Sequence, residues 1–379
     1  MLQLFRRQPK SAIGIDIGSS AVKIVELAWE DKRFRVSNYG SVSVTESDDD
    51  RGLPRRLTQL AVGDVANLIR TLLAAMGFGR SAPPAAIAVP VFSSFSTLIE
   101  MPLMSESEVG QAVQFEARKV IPVPLSEVVM EWTVLQRERD PKLLKDQAPW
   151  LRLLGIGKGS SPPGTASKNI QVMLAAVPRE VLSRSVSTAS QAGLKLLFLE
   201  VETFSLARAL ADQTPDPSLL IDIGARSTNF SIIEEGFVSL THTVEIAGYN
   251  LTRATAEGLN ILPARAEERK QTQGLAGGGG EGQIAHLMLS YIEVLTTEAE
   301  RVLGLHERSG VKVQRIVLAG GSARLTKLAE YVSTKLGRPI EIAQPFKNLL
   351  YPEALKVQLE ELGPSFAVAI GLAQKALSG

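Results

Sequence analysis

The chain of 379 residues contains no cysteine. That excludes disulfides, thiolate metal sites and a cysteine nucleophile. Histidine is scarce. His242, His286 and His306 are scattered and form no HExxH pair, so they read as surface or core imidazoles rather than metal ligands. Neither sign of charge is in excess: 41 Lys and Arg against 40 Asp and Glu leave a net charge of +1. A general nucleic-acid binder would carry a basic surplus. No apolar run approaches the roughly 20 residues that cross a bilayer. There is no GxxxxGK[ST] loop and no GxGxxG after a strand. A nucleotide, if bound, is therefore not held in the P-loop or dinucleotide-fold manner.

The opening "MLQLFRRQPK" has charge but no apolar segment behind it, because Asp16 interrupts the next run. A signal peptide is not expected, and a cytoplasmic location is. Leu2, Leu4 and Phe5 beside Arg6 and Arg7 read either as a frayed terminus or as a membrane-surface contact.

What is present is an α/β pattern. Apolar residues make up 45 % of the chain, enough for sizeable cores, and the length calls for two or more subdomains. Residues 13–17 and 22–27 read as strands joined by a Gly-Ser-Ser turn, and "RFRVSNYGSVSV" as a third antiparallel strand. Residues 48–52 read as a solvated loop. Helical spacing from Val62 to Met76 stops at Gly77 and is followed by the buried strand "AAIAVP". Ser105 and Glu108 have capping-box spacing for a helix that runs to about Lys119, before Pro122 and Pro124. "VVMEWTVLQRE" and "NIQVMLAAVP" read as strands around a Gly/Ser/Pro-rich hairpin tip at 155–168.

At Leu219 the beginning recurs. "LLIDIGARSTNFSII" repeats the I-D-I-G of "IGIDIGSSAVKIV" about two hundred residues later. This is a duplication on the scale of a domain. A helix follows ("GYNLTRATAEGL"), then "ARAEERKQ", a Gly-rich stretch at 274–282 and a long helix with Ile284, Met288, Ile292, Leu295, Ala299 and Val302 on one face. "RIVLAGGSARL" reads as a strand that ends in Gly320-Gly321 and enters a helix. "SFAVAIGLAQKAL" reads as the last helix.

A glycine turn after a strand lets backbone N–H groups approach an anion. Ser19 and Ser20 add hydroxyl donors, Lys23 adds a positive charge, and a carboxylate at the strand end suits Mg²⁺. Two such hairpins facing each other would clamp a polyphosphate and its metal. The alternative is two ordinary hairpins, but each places an Asp, 16 or 222, where core packing alone would not choose one. The Gly-Gly after "VLA" lets a flat ring lie on the backbone, or is a plain strand–helix turn. Glu267 and Lys270 stand one helical turn apart. They either hold ribose and base or form a surface ion pair.

In this order and spacing, "IGIDIGSSAVKIVEL", "LLIDIGARSTNF", "AEERK" and "IVLAGGSARL" resemble the phosphate and adenosine motifs of the actin-like ATPase superfamily. Within it, "FEARKVIPVPLSEVVMEW", "VMLAAVPREVL" and "FLEVETFSLARAL" resemble the PilM family of type IV pilus assembly, which is related to FtsA. The resemblance implies a two-lobed, duplicated ribonuclease H-like α/β fold. Subdomain 1A would comprise 1–94 with 169–216 and a C-terminal helix at 364–379, interrupted by an FtsA-type 1C insertion at 95–168. Subdomain 2A would comprise 217–248 with 309–363, and 2B would be 249–308.

The resemblance also implies ATP and Mg²⁺ between the lobes. Asp16 and Asp222 would face the metal. Gly18, Ser19, Ser20 and Lys23 would hold phosphates, with Gly224, Ala225 and Thr228 opposite. Glu267 and Lys270 would reach the ribose and base, above Gly320, Gly321 and Ser322. Glu202 in "EVETF" would orient water, or be a helix-start acid. Arg226 departs from the small polar residue often found there, and would either contact phosphate or block it. The implied role is an assembly scaffold, peripheral to the inner membrane through partners. It would bind the N-terminal tail of PilN and other inner-membrane pilus proteins, no nucleic acid, with homo-oligomers left open. The Phe95–Met101 edge and a helix bearing Val109, Val113 and Phe115 before Ile121-Pro122 would either offer the peptide groove or simply pack the insertion's own core. Two alternatives are an active ATPase or small-molecule kinase of the same fold, and an FtsA-like membrane-associated filament.

Overall fold

The computed structural model describes residues 9–43, 57, 60–79, 83–136, 169–214, 217–234, 236–276, 282–308 and 310–378. The expected loop at 48–52, the hairpin tip at 155–168, the first eight residues and 277–281 of the Gly-rich stretch lie outside them.

β1 (Ser11–Ile17), β2 (Ala21–Glu30) and β3 (Arg33–Ser43) form an antiparallel meander. β4 (Ala85–Val89) and β8 (Leu196–Val201) add in parallel, giving the order β3-β2-β1-β4-β8. The second half repeats this. β9 (Ser218–Ile223), β10 (Thr228–Glu234) and β11 (Phe237–Val244) form a meander, and β12 (Arg315–Ala319) and β13 (Ile340–Ile342) add in parallel, giving β11-β10-β9-β12-β13. The duplication of one motif is thus a duplication of a whole sheet. We call the sheets, with their helices, lobes 1 and 2. A third sheet, β5-β7-β6, is built from Phe95–Pro102, Asn169–Pro178 and Val128–Gln136 and is inserted after β4.

Alternation along each strand decides which face a residue serves. In β1, Ile13 and Ile15 pack under α1 (Val62–Ala75), while Ala12 faces the C-terminal helix. In β9, Leu219, Ile221 and Ile223 pack toward the long helix at Gly282–Glu307, while Leu220 faces that same C-terminal helix. Asp16 has the parity of Ala12, and Asp222 that of Leu220. Both acids therefore leave their strand ends on the side shared by the two lobes.

The remaining helices are α2 (Glu106–Val120), α3 (Arg179–Gln191), α4 (Glu202–Ala209), α5 (Gly248–Leu259), α6 (Pro263–Gln273), α7 (Gly282–Glu307), α8 (Leu328–Leu336) and α9 (Lys356–Ser378). The capping box forms as expected: Glu108 Oε2 accepts the Ser105 backbone N–H at 2.8 Å. Two expectations are corrected. The chain turns after Gly320-Gly321 and enters α8 only at Leu328. The last helix begins at Lys356 and runs through Pro364. A proline inside a helix leaves the carbonyl four residues back without its N–H. Here Arg324 supplies the missing donor, reaching Glu360 O at 3.2 Å.

α9 is the common wall of both lobes. A Cβ on Gly14 would stand 1.9 Å from Ala369 O, and one on Gly371 would stand 1.9 Å from Ser205 O, so these glycines let α9 lie directly on β1 and α4. A buried ion cluster fixes the helix. Arg208 donates to both Glu200 oxygens at 2.7 and 2.8 Å, and Lys375 of α9 reaches Glu200 Oε1 at 2.7 Å. Burial alone would raise the Glu200 pKa, but Arg208 and Lys375 outweigh it and pull it down to about 2.

A group with a depressed folded pKa stabilises above its unfolded value and loses that contribution as pH falls. The wild-type chain is expected to lose stability between about pH 4.5 and pH 2 from this cluster. Glu200→Gln, which leaves Arg208 buried without its counter-charge, is expected to cost about 3 kcal/mol at neutral pH and to flatten that acid limb. Urea unfolding of both chains across pH checks it; equal stability at pH 7 would contradict the clamp.

Candidate functional site

The two hairpins match residue for residue. Gly18 N–H donates to Ala21 O at 3.0 Å, and Gly224 N–H donates to Ser227 O at 3.0 Å. Ser19-Ser20 in one turn correspond to Ala225-Arg226 in the other. Asp16 stands opposite Lys23 across the first hairpin, and Asp222 opposite Asn229 across the second. Lys23 Nζ donates to Asp16 Oδ2 at 3.1 Å. Asn229 hydrogen-bonds Asp222 and donates from Nδ2 to Glu202 Oε1 at 3.2 Å. Glu202, the first residue of α4, also accepts the Val91 backbone N–H at 3.0 Å. Three carboxyls from two lobes thus share one neighbourhood.

Their charges show it. Burial, then the fields of Asp222 and Asp16, push the Glu202 pKa up to about 8. Burial, with Asp16 adding to it, raises Asp222 to about 6, although Lys23 pulls the other way. Burial works against the Lys23 ammonium, but Asp16, joined by Asp222 and Glu202, raises its pKa above the ordinary value. The site is short of positive charge.

The second group of expected residues lies in lobe 2. Gly248 opens α5, with its N–H on Gly224 O at 3.1 Å, and Tyr249 N–H reaches Ala225 O at 2.8 Å. A Cβ on Gly248 would stand 2.6 Å from Ser322 Oγ and 3.5 Å from Lys270 Nζ. Glycine is what lets these three segments meet. Thr228 is buried with its hydroxyl on Ile246 O at 2.6 Å, so it supports the turn from behind. Lys270 is buried and donates to Glu267 at 2.7 Å, Thr252 at 3.0 Å and Gly248 O at 3.2 Å. Its donors are committed within the lobe, while Glu267 keeps an exposed edge. Burial would raise the Glu267 pKa, but Lys270 holds it below the usual carboxylate range. Gly320 has φ +87° and a Cβ there would meet Asp222 Oδ1 at 2.5 Å; a Cβ on Gly321 would enter open space. Arg226 lies with its guanidinium 4.5 Å from the Tyr249 ring centroid.

The family model described as type IV pilus assembly protein PilM matches residues 14–145 and 160–377. The chain belongs to this family. Its fold is the actin-like ATPase fold. The solved structure of a PilM-PilN type IV pilus biogenesis complex superposes with a TM-score of 0.75 at 25 % identity, covering 97 % of this chain and 98 % of that one. MreB 5 of Spiroplasma citri, bound to AMPPNP, aligns with a TM-score of 0.50 at 14 % identity, covering 96 % and 94 %. That second likeness speaks for the fold alone. The cell division protein FtsA of Rhizobium meliloti (strain 1021) is 28 % identical over 191 residues, 44 % of this chain and 42 % of FtsA. The chain spans under half the length of the curated FtsA relatives it matches.

For a PilM-family chain the acids fit a hard divalent cation, which one or two carboxylates hold together with water and phosphate. Among the described residues no cluster of three or more His, Cys, Asp and Glu makes an all-protein cage. The burial and crowding that raise the Asp222 and Glu202 pKa values beside Asp16 are what such a cation would relieve. Sequence reasoning missed Asn229 and the Val91 N–H. The first was within reach, because Asp16–Lys23 and Asp222–Asn229 have equal spacing. The second was not, since a backbone donor leaves no mark in sequence.

The Glu202 carboxyl has a folded pKa above its unfolded value, so the stability tied to its proton is complete below about pH 4.5 and is lost as pH rises through about 8. Glu202→Gln keeps the acceptor for Val91 and removes the charge. It is expected to match wild type near pH 4 and to be more stable at pH 9 by on the order of 5 kcal/mol. Denaturant melts at both pH values check this; equal differences at the two would contradict the burial of a forced charge.

Proposed function

We propose that this PilM-family chain binds Mg-ATP between its lobes and serves as an assembly scaffold recruited by the N-terminal tail of a PilN-type inner-membrane protein. The observation that carries the first half is the pair of superposable Asp–Gly hairpins, with Asp16 tied to Lys23 and Asp222 to Asn229. Asp16 and Asp222 hold the metal. Gly18–Ser20 and Lys23 take phosphates from one side, and Gly224–Arg226 from the other. Gly321 offers the open backbone surface for the base, with Ser322 and the exposed edge of Glu267 beside it. No helix among the described residues is long and apolar enough to cross a membrane, so attachment through a partner is consistent with the fold.

Binding suits the site better than rapid turnover. Glu202 is the acid that would orient water, and its Oε1 is already taken by the Val91 N–H and Asn229 Nδ2. In calorimetric titrations of nucleotide-free protein, Mg-ATP is expected to bind. Asp16→Ala is expected to lose the metal dependence, and Lys23→Ala to weaken binding about tenfold, the size of one charge-assisted contact. Phosphate release is expected below roughly 1 per second. No heat from the wild type at high protein concentration, or turnover in the ordinary enzyme range, would overturn this half.

The peptide surface differs from the sequence expectation in detail. Ile99, Met101, Val109 and Val113 are buried in the insertion's own core, and β5 lies against β11 of lobe 2. Phe115 is 60 % exposed, with Lys119 above its ring, and Leu103, Val120 and Val123 are exposed on the same insertion. These are the side chains proposed to meet an extended apolar tail. Peptides from the N-termini of inner-membrane pilus proteins encoded beside this chain are expected to bind at micromolar levels. Phe115→Asp should weaken them at least about tenfold, as for one buried aromatic anchor. If none binds, or if Phe115→Asp changes nothing, this half is wrong.

A further inference from the structure

The insertion leaves lobe 1 just after β4, where Val91–Ser93 forms a single turn before β5. It returns through β7, α3 and β8, and Glu202 opens α4 immediately after β8. The Val91 N–H on Glu202 Oε1 therefore fastens the chain entering the insertion to the chain that has returned from it. The same carboxylate oxygen accepts Asn229 Nδ2 from lobe 2.

Asn229 is held in one orientation. Thr243 Oγ1 donates to its Oδ1 at 2.9 Å, so the amide nitrogen must turn toward Glu202. Thr243 is the cross-strand partner of Asn229 on β11, and β11 is the strand of lobe 2 that lies against β5 of the insertion. Asn229 also bonds Asp222. One neutral side chain thus touches an acid from each lobe and, through Val91 and β11, two places where the insertion meets the rest of the molecule.

Its chemistry fits the position. Lys23, at the matching place in the first hairpin, satisfies Asp16 with a charge. A lysine at 229 would close Asp222 and Glu202 into a buried ion pair. An amide donates to both carboxyls without bringing a charge of its own, so Asp222 stays available to a cation.

We propose that Asn229 is a positioning residue that ties the root of the inserted subdomain to the Asp222 hairpin, so that whatever engages Asp222 in the cleft changes how the insertion is held. The tie itself does not depend on what fills the cleft; its response to nucleotide rests on the nucleotide reading above. Coupling of this kind is reciprocal, so occupancy of the insertion by a partner alters the cleft in turn.

Hydrogen exchange of the full chain, read by mass spectrometry, tests it. Without ligand, amides in residues 90–102 are expected to exchange about tenfold faster in Asn229→Ala than in wild type, the loss of one hydrogen bond. β9 and β12 should be unchanged, which a merely structural role in lobe 2 would not allow. Thr243→Val, which frees the amide but keeps Asn229, should give a smaller change of the same sign, and it decides the matter if Asn229→Ala does not fold. Adding Mg²⁺ and AMPPNP should slow exchange at 90–102 in wild type and not in Asn229→Ala. Exchange at 90–102 within about twofold of wild type in the variants, or loosening there only together with β9 and β12, would overturn the tie. If calorimetry shows no AMPPNP binding while the variants still loosen 90–102, the tie stands and the nucleotide reading falls.

Discussion

One ammonium, that of Lys23, sits among the carboxyls of Asp16, Asp222 and Glu202. Burial makes each of these charges costly, and a single cation does not balance three acids. Lys23 is bonded to Asp16, so Asp222 and Glu202 carry the remaining strain as raised pKa values. Packing alone would remove such a cluster. Its position at the meeting point of two lobes is the constraint that the rest of the fold accommodates. A divalent cation bound there would offset the acids' charge, and a bound polyphosphate would bring its own acceptors to the hairpin turns.

Everything around the cluster serves to bring those acids together. The repeated sheet order sets Asp16 and Asp222 at equivalent strand ends. Strand alternation turns both toward the shared side. α9 closes that side by packing on both sheets, which requires Gly14 and Gly371 to have no side chain and Glu200 to hold Arg208 and Lys375. The insertion then hangs from the same cluster through the Val91 N–H.

The hairpins were legible because I-D-I-G occurs twice and each copy is followed by a small-residue turn and an apolar run. Strands and most helices followed from period and capping, as with Ser105 and Glu108. Failures came where a distant group rescued a local defect. Pro364 reads as a helix start, yet α9 passes through it because Arg324, forty residues earlier in the chain, satisfies the freed carbonyl. Lys270 reads either as a contact to ribose and base or as a surface partner of Glu267, and the arrival of Gly248 and Thr252 buries it. Val109 and Val113 show helical spacing, which cannot say whether the face they form meets a partner or its own sheet. In the structure it meets the sheet.

The most direct measurement is a crystal structure of the chain grown with Mg²⁺ and AMPPNP. The expected result is a metal between the Asp16 and Asp222 carboxylates, phosphates over the turns at Gly18–Ser20 and Gly224–Arg226, and the base against Gly321. An empty cleft at millimolar nucleotide, or nucleotide bound away from both hairpins, would contradict the claim that the duplicated hairpins form one site.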